Sequence, residues 1–234
     1  MTILTIETST SACSAAITID GRAVASMAKL QGANHASDLP YFIEDLLQKA
    51  KDCHWHLDAV ALSQGPGSYT GLRIGASTAK GICYGLNIPL IPIDTLQVLC
   101  AAIPLPSIPE NALLCPMLDA KRMEVYTCFY KKNNQVFEQQ GKVVAKIIDE
   151  DAFAEQLATQ TILFFGNGSE KCKSCITHPN AQFIPNIITQ AEFMGYIAEI
   201  EAEKRILDIK QIAYYEPFYL KEFVAAPSHI KGLK

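Results

Sequence analysis

GPGSYTGLRIGASTAKGICYGL, residues 65–86, decides how this chain folds. Its glycines suggest a phosphate loop and its Ser and Lys a nucleophile, and the spacing supports neither. Five residues after Gly71 stands Ala76, Lys80 comes a full helical turn too late for G-x-x-x-x-G-K-[ST], and G-x-G-x-x-G is missing. Ser68 lacks the glycines two residues to either side that expose a serine at a G-x-S-x-G elbow. Ser77 and Lys80 match S-x-x-K, a spacing common on any helix. What the stretch does make is a turn into a helix over about 70–86, in which Gly71, Gly75, Ala79 and Cys83 recur every four residues. That narrow strip without bulky side chains admits close packing, by default within the fold, and free amides at the helix start can hold an anion.

Before the stretch, ILTIE (3–7), CSAAITID (13–20) and AVASMAK (23–29) read as a three-strand meander, turned at Asp20-Gly21. HASDLPYFIEDLLQKAK then places Leu39, Phe42, Ile43, Leu46, Leu47 and Ala50 on one face of a helix over about 35–51, with Ser37 or Asp38 as cap and Pro40 in the first turn. A buried strand DAVALS (58–63) leads into the glycine loop, and the strand PLIPI (89–93) and a short helix near 95–102 follow the second helix. The order β-β-β-α-β-α-β-α implies a mixed sheet with helices on its faces.

IPLPSIPEN (103–111), with three prolines in nine residues, is the natural boundary, dividing a first lobe, 1–104, from a second, 105–234. The second half opens as the first does: LLCPMLDA (113–120), MEVYTCFYK (123–131) and QVFEQQGKVVAK (135–146), then a helix in DEDAFAEQLA, a strand TILFFG (161–166) and a last helix over about 190–206, placed to pack back on the first lobe. Glu7 ends one first strand and Asp119 the other, each followed about six residues on by the next strand. A duplicated β-β-β-α-β unit with an acid at the end of its first strand is the plan of an α/β, two-lobed actin-like ATPase fold of the RNase H-like (ASKHA) kind, each lobe a mixed sheet flanked by helices.

The 234 residues and a hydrophobic fraction of 49% suffice for a sizeable core, in one large domain or two small lobes. A net charge of −4 supplies no overall drive toward nucleic acid, so RNA contact would need a partner. The first residues are too often polar for a signal peptide and no apolar run approaches the roughly 20 residues that span a bilayer, which reads as a cytoplasmic chain. Eight cysteines sit mostly in apolar segments and read as reduced. Cys172, Cys175 and His178 have ligand-like spacing without a second pair, which favours a surface loop over a zinc site. No H-x-x-x-H occurs, since Leu39 follows His35 at that interval, and Asn167-Gly168-Ser169 reads as a turn.

Taken together, ILTIETSTSACSAAITIDG, HASDLP, GPGSYTGLRIGASTAKGICYGLNIPL and DAKRMEVY resemble the TsaB (YeaZ) family, related to the Gcp-like TsaD proteins, closely over 1–130 and loosely to YEPFYLK (215–221). GPGS[FY]TGLRIG is highly specific for that family. The resemblance implies the duplicated actin-like fold and a noncatalytic scaffold or activating subunit of the complex that transfers threonylcarbamoyl to N6 of the adenine beside the anticodon (t6A) in tRNAs reading codons that begin with A. It implies a TsaD-like catalytic subunit as heterodimer partner, with room for a TsaE-like ATPase, tRNA only within the complex, a homodimer when isolated, and no membrane. The family binds its partner through the first two helices, which here carry His35, Leu39, Phe42, Ile43 and Leu46, and Gly71, Leu72, Gly75, Ala79 and Cys83. A weak nucleotide or anion site would draw on Thr8, Ser9, Thr10, Ser68, Asp119 and Lys121, with no other cofactor and no metal. Glu7 stands where the family usually has Asp, and the TSTSA turn lacks the glycine of ATP-using members of the fold, which argues against autonomous ATP hydrolysis. The competing class is an enzyme, either a metallopeptidase, against which the missing histidine pair speaks, or a sugar-kinase-like ATPase. A homodimeric binding module without a modification role is the third reading.

Overall fold

A computed structural model describes residues 1–134 and 136–221; Gln135, at the head of the expected third strand of the second half, and the end of the second lobe from residue 222 lie outside the described residues. The first sheet contains β1 (Thr2–Glu7), β2 (Cys13–Ile19), β3 (Arg22–Lys29), β4 (Ala59–Gly65) and β5 (Leu90–Asp94), in the order β3-β2-β1-β4-β5. The second contains β6 (Leu113–Asp119), β7 (Glu124–Asn133), β8 (Val136–Ile147), β9 (Ile162–Phe165) and β10 (Ala181–Ile184), in the order β8-β7-β6-β9-β10. In each sheet the first three strands are antiparallel and the last two run parallel to the first. One plan is therefore used twice.

The central strands β1 and β4 are buried on both faces, which is why they read as near-continuous apolar runs. Leu4 and Ile6 of β1 face α1 (His35–Asp52) and α2 (Tyr69–Leu86), sharing a core with Leu39, Leu46, Ala79 and Cys83. Ile3 points the other way, into a core with Ala59, Ile91 and Ile93 that is covered by Met194, Ile197 and Ala198, from a 3-10 turn at Ala191–Met194 and α5 (Gly195–Lys204). Between the two sheets, α3 (Thr95–Ala101) sends Leu96, Leu99 and Cys100 into a core with Leu114, Leu118 and Tyr130 of the second lobe. Phe153, Phe164 and Phe129 fill that lobe's far face.

Several local expectations change. Asn34, not Ser37 or Asp38, caps α1 by accepting from the Ala36 amide at 3.2 Å, and Asp38 returns the contact by accepting from the Asn34 amide at 2.7 Å. That bond first, and Lys29 beside it, hold the Asp38 carboxyl below its ordinary range. The helix expected in DEDAFAEQLA shrinks to α4 (Ala154–Leu157), because Phe153 takes a left-handed backbone (φ 65°) to bury its ring, tertiary packing overriding helix propensity. Two elements fall outside those expectations, the edge strand β10 and α6 (Ile209–Ala213), whose Asp208 and Gln211 form a complete capping box.

Candidate functional site

The end of β1 organises the first lobe. Glu7 is fully buried, its Oε1 accepting the Ser9 amide at 2.7 Å and the Ser9 hydroxyl at 2.5 Å. Burial pushes its carboxyl above the ordinary carboxylate range, and hydrogen bonding from Ser9, with a smaller contribution from the Ser63 hydroxyl, only partly opposes this. The glycine loop folds directly over this strand end: the Ser68 amide donates to the Ser9 carbonyl at 2.6 Å, and the Ser68 side chain caps α2 by accepting from the Gly71 amide at 3.3 Å. A Cβ added at Gly67 would overlap the Ser9 carbonyl, one at Gly71 the Thr8 carbonyl, and one at Gly75 the Thr8 hydroxyl. The glycines of the opening stretch therefore let a helix lie against the β1–β2 turn of its own lobe.

This placement turns most of the residues expected at the partner surface inward. Leu39, Phe42, Ile43, Leu46, Gly71, Leu72, Gly75, Ala79 and Cys83 are all buried within the monomer, turned to the sheet, so their side chains are not available to another protein. Only His35 is partly exposed, with its Nε2 3.1 Å from the Ala12 carbonyl oxygen. The free faces of the same two helices point the opposite way. Tyr41 on α1 is 61% exposed and Tyr84 on α2 is 79% exposed. Between the helices runs a groove of about 500 Å³, lined by Ala36 and Pro40 from α1 and by Tyr69, Thr70, Arg73, Ile74, Ser77 and Thr78 from α2. Along the crest of α2 stand Ser77, Gly81 and Gly85, and an added Cβ at either of these glycines meets nothing. Mid-helix glycine costs about 1 kcal/mol relative to alanine, and at Gly81 nothing among the described residues accounts for it. That second strip is legible in the sequence at four-residue spacing, where the inward strip of four small residues overshadows it.

The six residues considered for an anion site do not gather around one cavity. Thr8 lies under α2, Ser9 is bound to Glu7, and Ser68 is occupied as the helix cap. Thr10 meets Thr189 across the lobes at 3.5 Å. Asp119 pairs with Lys171, whose ammonium also donates to the carbonyls of Arg122 (2.6 Å) and Glu124 (2.7 Å), while the Lys121 amide donates to Asp119 at 3.1 Å. Burial alone would raise the Asp119 carboxyl; Lys171 and that amide outweigh it and hold it below its ordinary range. Between the lobes, Thr10, Leu99, Leu118, Ile187, Ile188 and Thr189 line a small cavity of about 60 Å³. Pockets for small ligands run to roughly 300–1,000 Å³, so that cavity is too small for a nucleotide. Cys172 is buried and donates to the Gly168 carbonyl, His178 accepts from the Asn180 amide, and among the described residues no three His, Cys, Asp or Glu side chains converge as metal ligands. No helix of the described residues is long and apolar enough to cross a membrane.

Two copies of one five-stranded plan, helix-covered and joined through α3, define a protein of the actin-like ATPase fold. The chain belongs to the TsaD family, described as tRNA N6-adenosine threonylcarbamoyltransferase, whose sequence profile matches residues 26–226, and within it to the TsaB (YeaZ) proteins. It is 26% identical over 231 residues to the tRNA threonylcarbamoyladenosine biosynthesis protein TsaB of Haemophilus influenzae, an alignment covering 96% of this chain and 95% of that one. Its match to the protein of the same name from Bacillus subtilis is 32% over 139 residues and spans 59% of each chain, less than two thirds of that relative. A crystal structure of a Pseudomonas aeruginosa protein described as similar to peptidase YEAZ superposes with a TM-score of 0.78 at 25% identity, over 94% of this chain and 99% of that one.

Proposed function

We propose that this chain is the noncatalytic scaffold subunit of the complex that transfers threonylcarbamoyl to N6 of the adenine beside the anticodon in tRNAs reading codons that begin with A. The observation that carries the reading is that the acid at the end of each first strand is consumed within the protein, Glu7 by Ser9 and Asp119 by Lys171, with only a cavity of about 60 Å³ beside Thr10 between the lobes. What the molecule offers instead is the outward face of α1 and α2, with exposed aromatics and a groove between the helices. A TsaD-like catalytic subunit docks on that face in a heterodimer, a TsaE-like ATPase joins the assembly, and tRNA is met only there. Deleting the gene tests this: the threonylcarbamoylated nucleoside should fall sharply in bulk tRNA measured by mass spectrometry, and normal levels would sink the reading.

The isolated chain should use the same face on itself, in the cytoplasm as in solution. Tyr41, Tyr84 and Leu86, the last 50% exposed, leave an apolar face that water disfavours. Sedimentation at high micromolar concentration should show a dimer; a strictly monomeric species would count against the exposed face as an interaction surface.

A further inference from the structure

The outer flank of α2 that faces away from α1 carries a second, polar pocket. It measures about 330 Å³ and lies between α2 and the segment Tyr215–Tyr219, with Arg73, Ser77, Lys80, Glu216 and Tyr219 on its walls. Arg73 and Lys80 are seven residues apart, about 10 Å along the helix axis, on the same side as Ser77. Both cations are held in place by neutral groups. Arg73 donates to the Tyr69 hydroxyl at 2.8 Å and sits 5.3 Å from the centre of that ring. Lys80 donates to the Ala213 carbonyl at 3.3 Å and lies 5.9 Å from the centre of the Tyr215 ring. Neither forms an ion pair among the described residues, although Glu216 shares the pocket. Two positioned cations against one carboxylate leave the pocket net positive in a chain whose overall charge is −4.

The pocket is continuous with the groove on the other flank, since Tyr69, Arg73 and Ser77 line both. The crest of α2 between them is kept low by Ser77 and Gly81. Whatever lies along this crest meets apolar surface toward α1 and positive charge without an ion-pair partner among the described residues toward Tyr219. We propose that the element docked there is a helix of the catalytic partner whose apolar stripe is flanked by a carboxylate side chain, and that this carboxylate enters the Arg73–Lys80 pocket. The inference rests on the scaffold reading, from which it takes the partner. Arg73 is suited to the contact because a guanidinium keeps several donors free after one is used on Tyr69, and a carboxylate accepts two at once. An acidic chain with one local pair of cations on an apolar rim fits a single carboxylate better than the many phosphates of a nucleic acid, which call for clustered positive charge.

The test measures affinity for the TsaD-like catalytic subunit of the same organism at low and high salt. Three variants are compared after each is shown to melt like the parent: Arg73→Gln/Lys80→Gln, Arg73→Glu/Lys80→Glu and Gly81→Leu. The parent should lose affinity as salt rises, the glutamine pair should bind more weakly at low salt and lose most of that salt dependence, and the glutamate pair should fall by roughly tenfold or more. Gly81→Leu, which blocks the crest without touching charge, should abolish binding. If both charge variants bind as the parent does while Gly81→Leu fails, the partner lies on the apolar surface alone and the carboxylate is wrong, though the scaffold reading stands. If Gly81→Leu also binds normally, the face itself is wrong. Charge variants that assemble normally and lose only tRNA affinity would assign the pocket to phosphate and overturn the proposal.

Discussion

Gly75→Leu should lower the thermal midpoint of the isolated protein by roughly 5–10 °C, whereas Gly81→Leu, about one and two-thirds helical turns further along α2, should leave it unchanged or slightly raised. Intrinsic helix preference favours both substitutions by about 0.5–1 kcal/mol, so their difference isolates what each side chain meets. At Gly75 the first added carbon overlaps the Thr8 hydroxyl and stands 3.1 Å from Leu62 Cδ1, between β1 and β4, both buried on either face. Three further carbons have nowhere to go unless α2 lifts from the sheet. Overpacking of this kind costs about 1–3 kcal/mol and sometimes more, and in a chain of this size each kcal/mol moves the midpoint by roughly 2–4 °C. At Gly81 an added Cβ meets open space. Thermal unfolding of the two variants beside the parent reads the contrast directly. Equal midpoints would mean that the inward strip does not set the distance between α2 and β1.

The same pair of glycines shows what can be read from the sequence. The elements of the first half are accessible because their burial is one-sided or complete in a regular way: Leu39, Phe42, Ile43 and Leu46 keep helical spacing, and β1 and β4 are near-continuous apolar runs. The duplication is accessible because Glu7 and Asp119 mark the ends of equivalent strands. Periodicity, however, identifies the face that is buried and says nothing of what buries it. In α2 the small residues at 71, 75, 79 and 83 are covered by the protein's own sheet, and the candidate docking face is written in residues with a weaker signal, an exposed tyrosine and a mid-helix glycine with no local reason. The second half is harder because its short elements are held by tertiary contacts. β10 is four residues of partly buried edge strand, and α4 gives way to the burial of Phe153. For α6 the signal is present, Asp208 and Gln211 at capping-box spacing, before a helix only five residues long.

Glu7→Gln should stabilise the protein at neutral and higher pH. The Glu7 carboxyl is completely buried, and although Oε1 takes two hydrogen bonds from Ser9, Oε2 makes none of good geometry among the described residues; the Ser63 hydroxyl on the neighbouring strand is close enough to favour the charged form but is not aligned to bond it, and the Thr8 hydroxyl likewise has no partner among the described residues. Burial favours the neutral acid and places its folded-state pKa above the ordinary 4.5. The sign of the linkage follows. Below the unfolded value both states are protonated and the full stability is present; as pH rises toward the folded value the unfolded chain releases its proton first, and stability is lost until the folded protein ionises too. Glutamine keeps the acceptor for Ser9, carries no charge at any pH, and puts two N–H donors where Oε2 has no partner, among hydroxyl oxygens able to accept. Urea unfolding at pH 8 should show the variant ahead of the parent by about 1–3 kcal/mol, the range for relieving an unsatisfied buried polar group, and the gap should narrow at pH 4.5. Glu7→Ala should instead destabilise at both pH values, since it strands the Ser9 amide and hydroxyl. Comparing parent and variant at each pH cancels every other titrating group, so a gap that does not change with pH would show that Glu7 ionises normally in the folded chain.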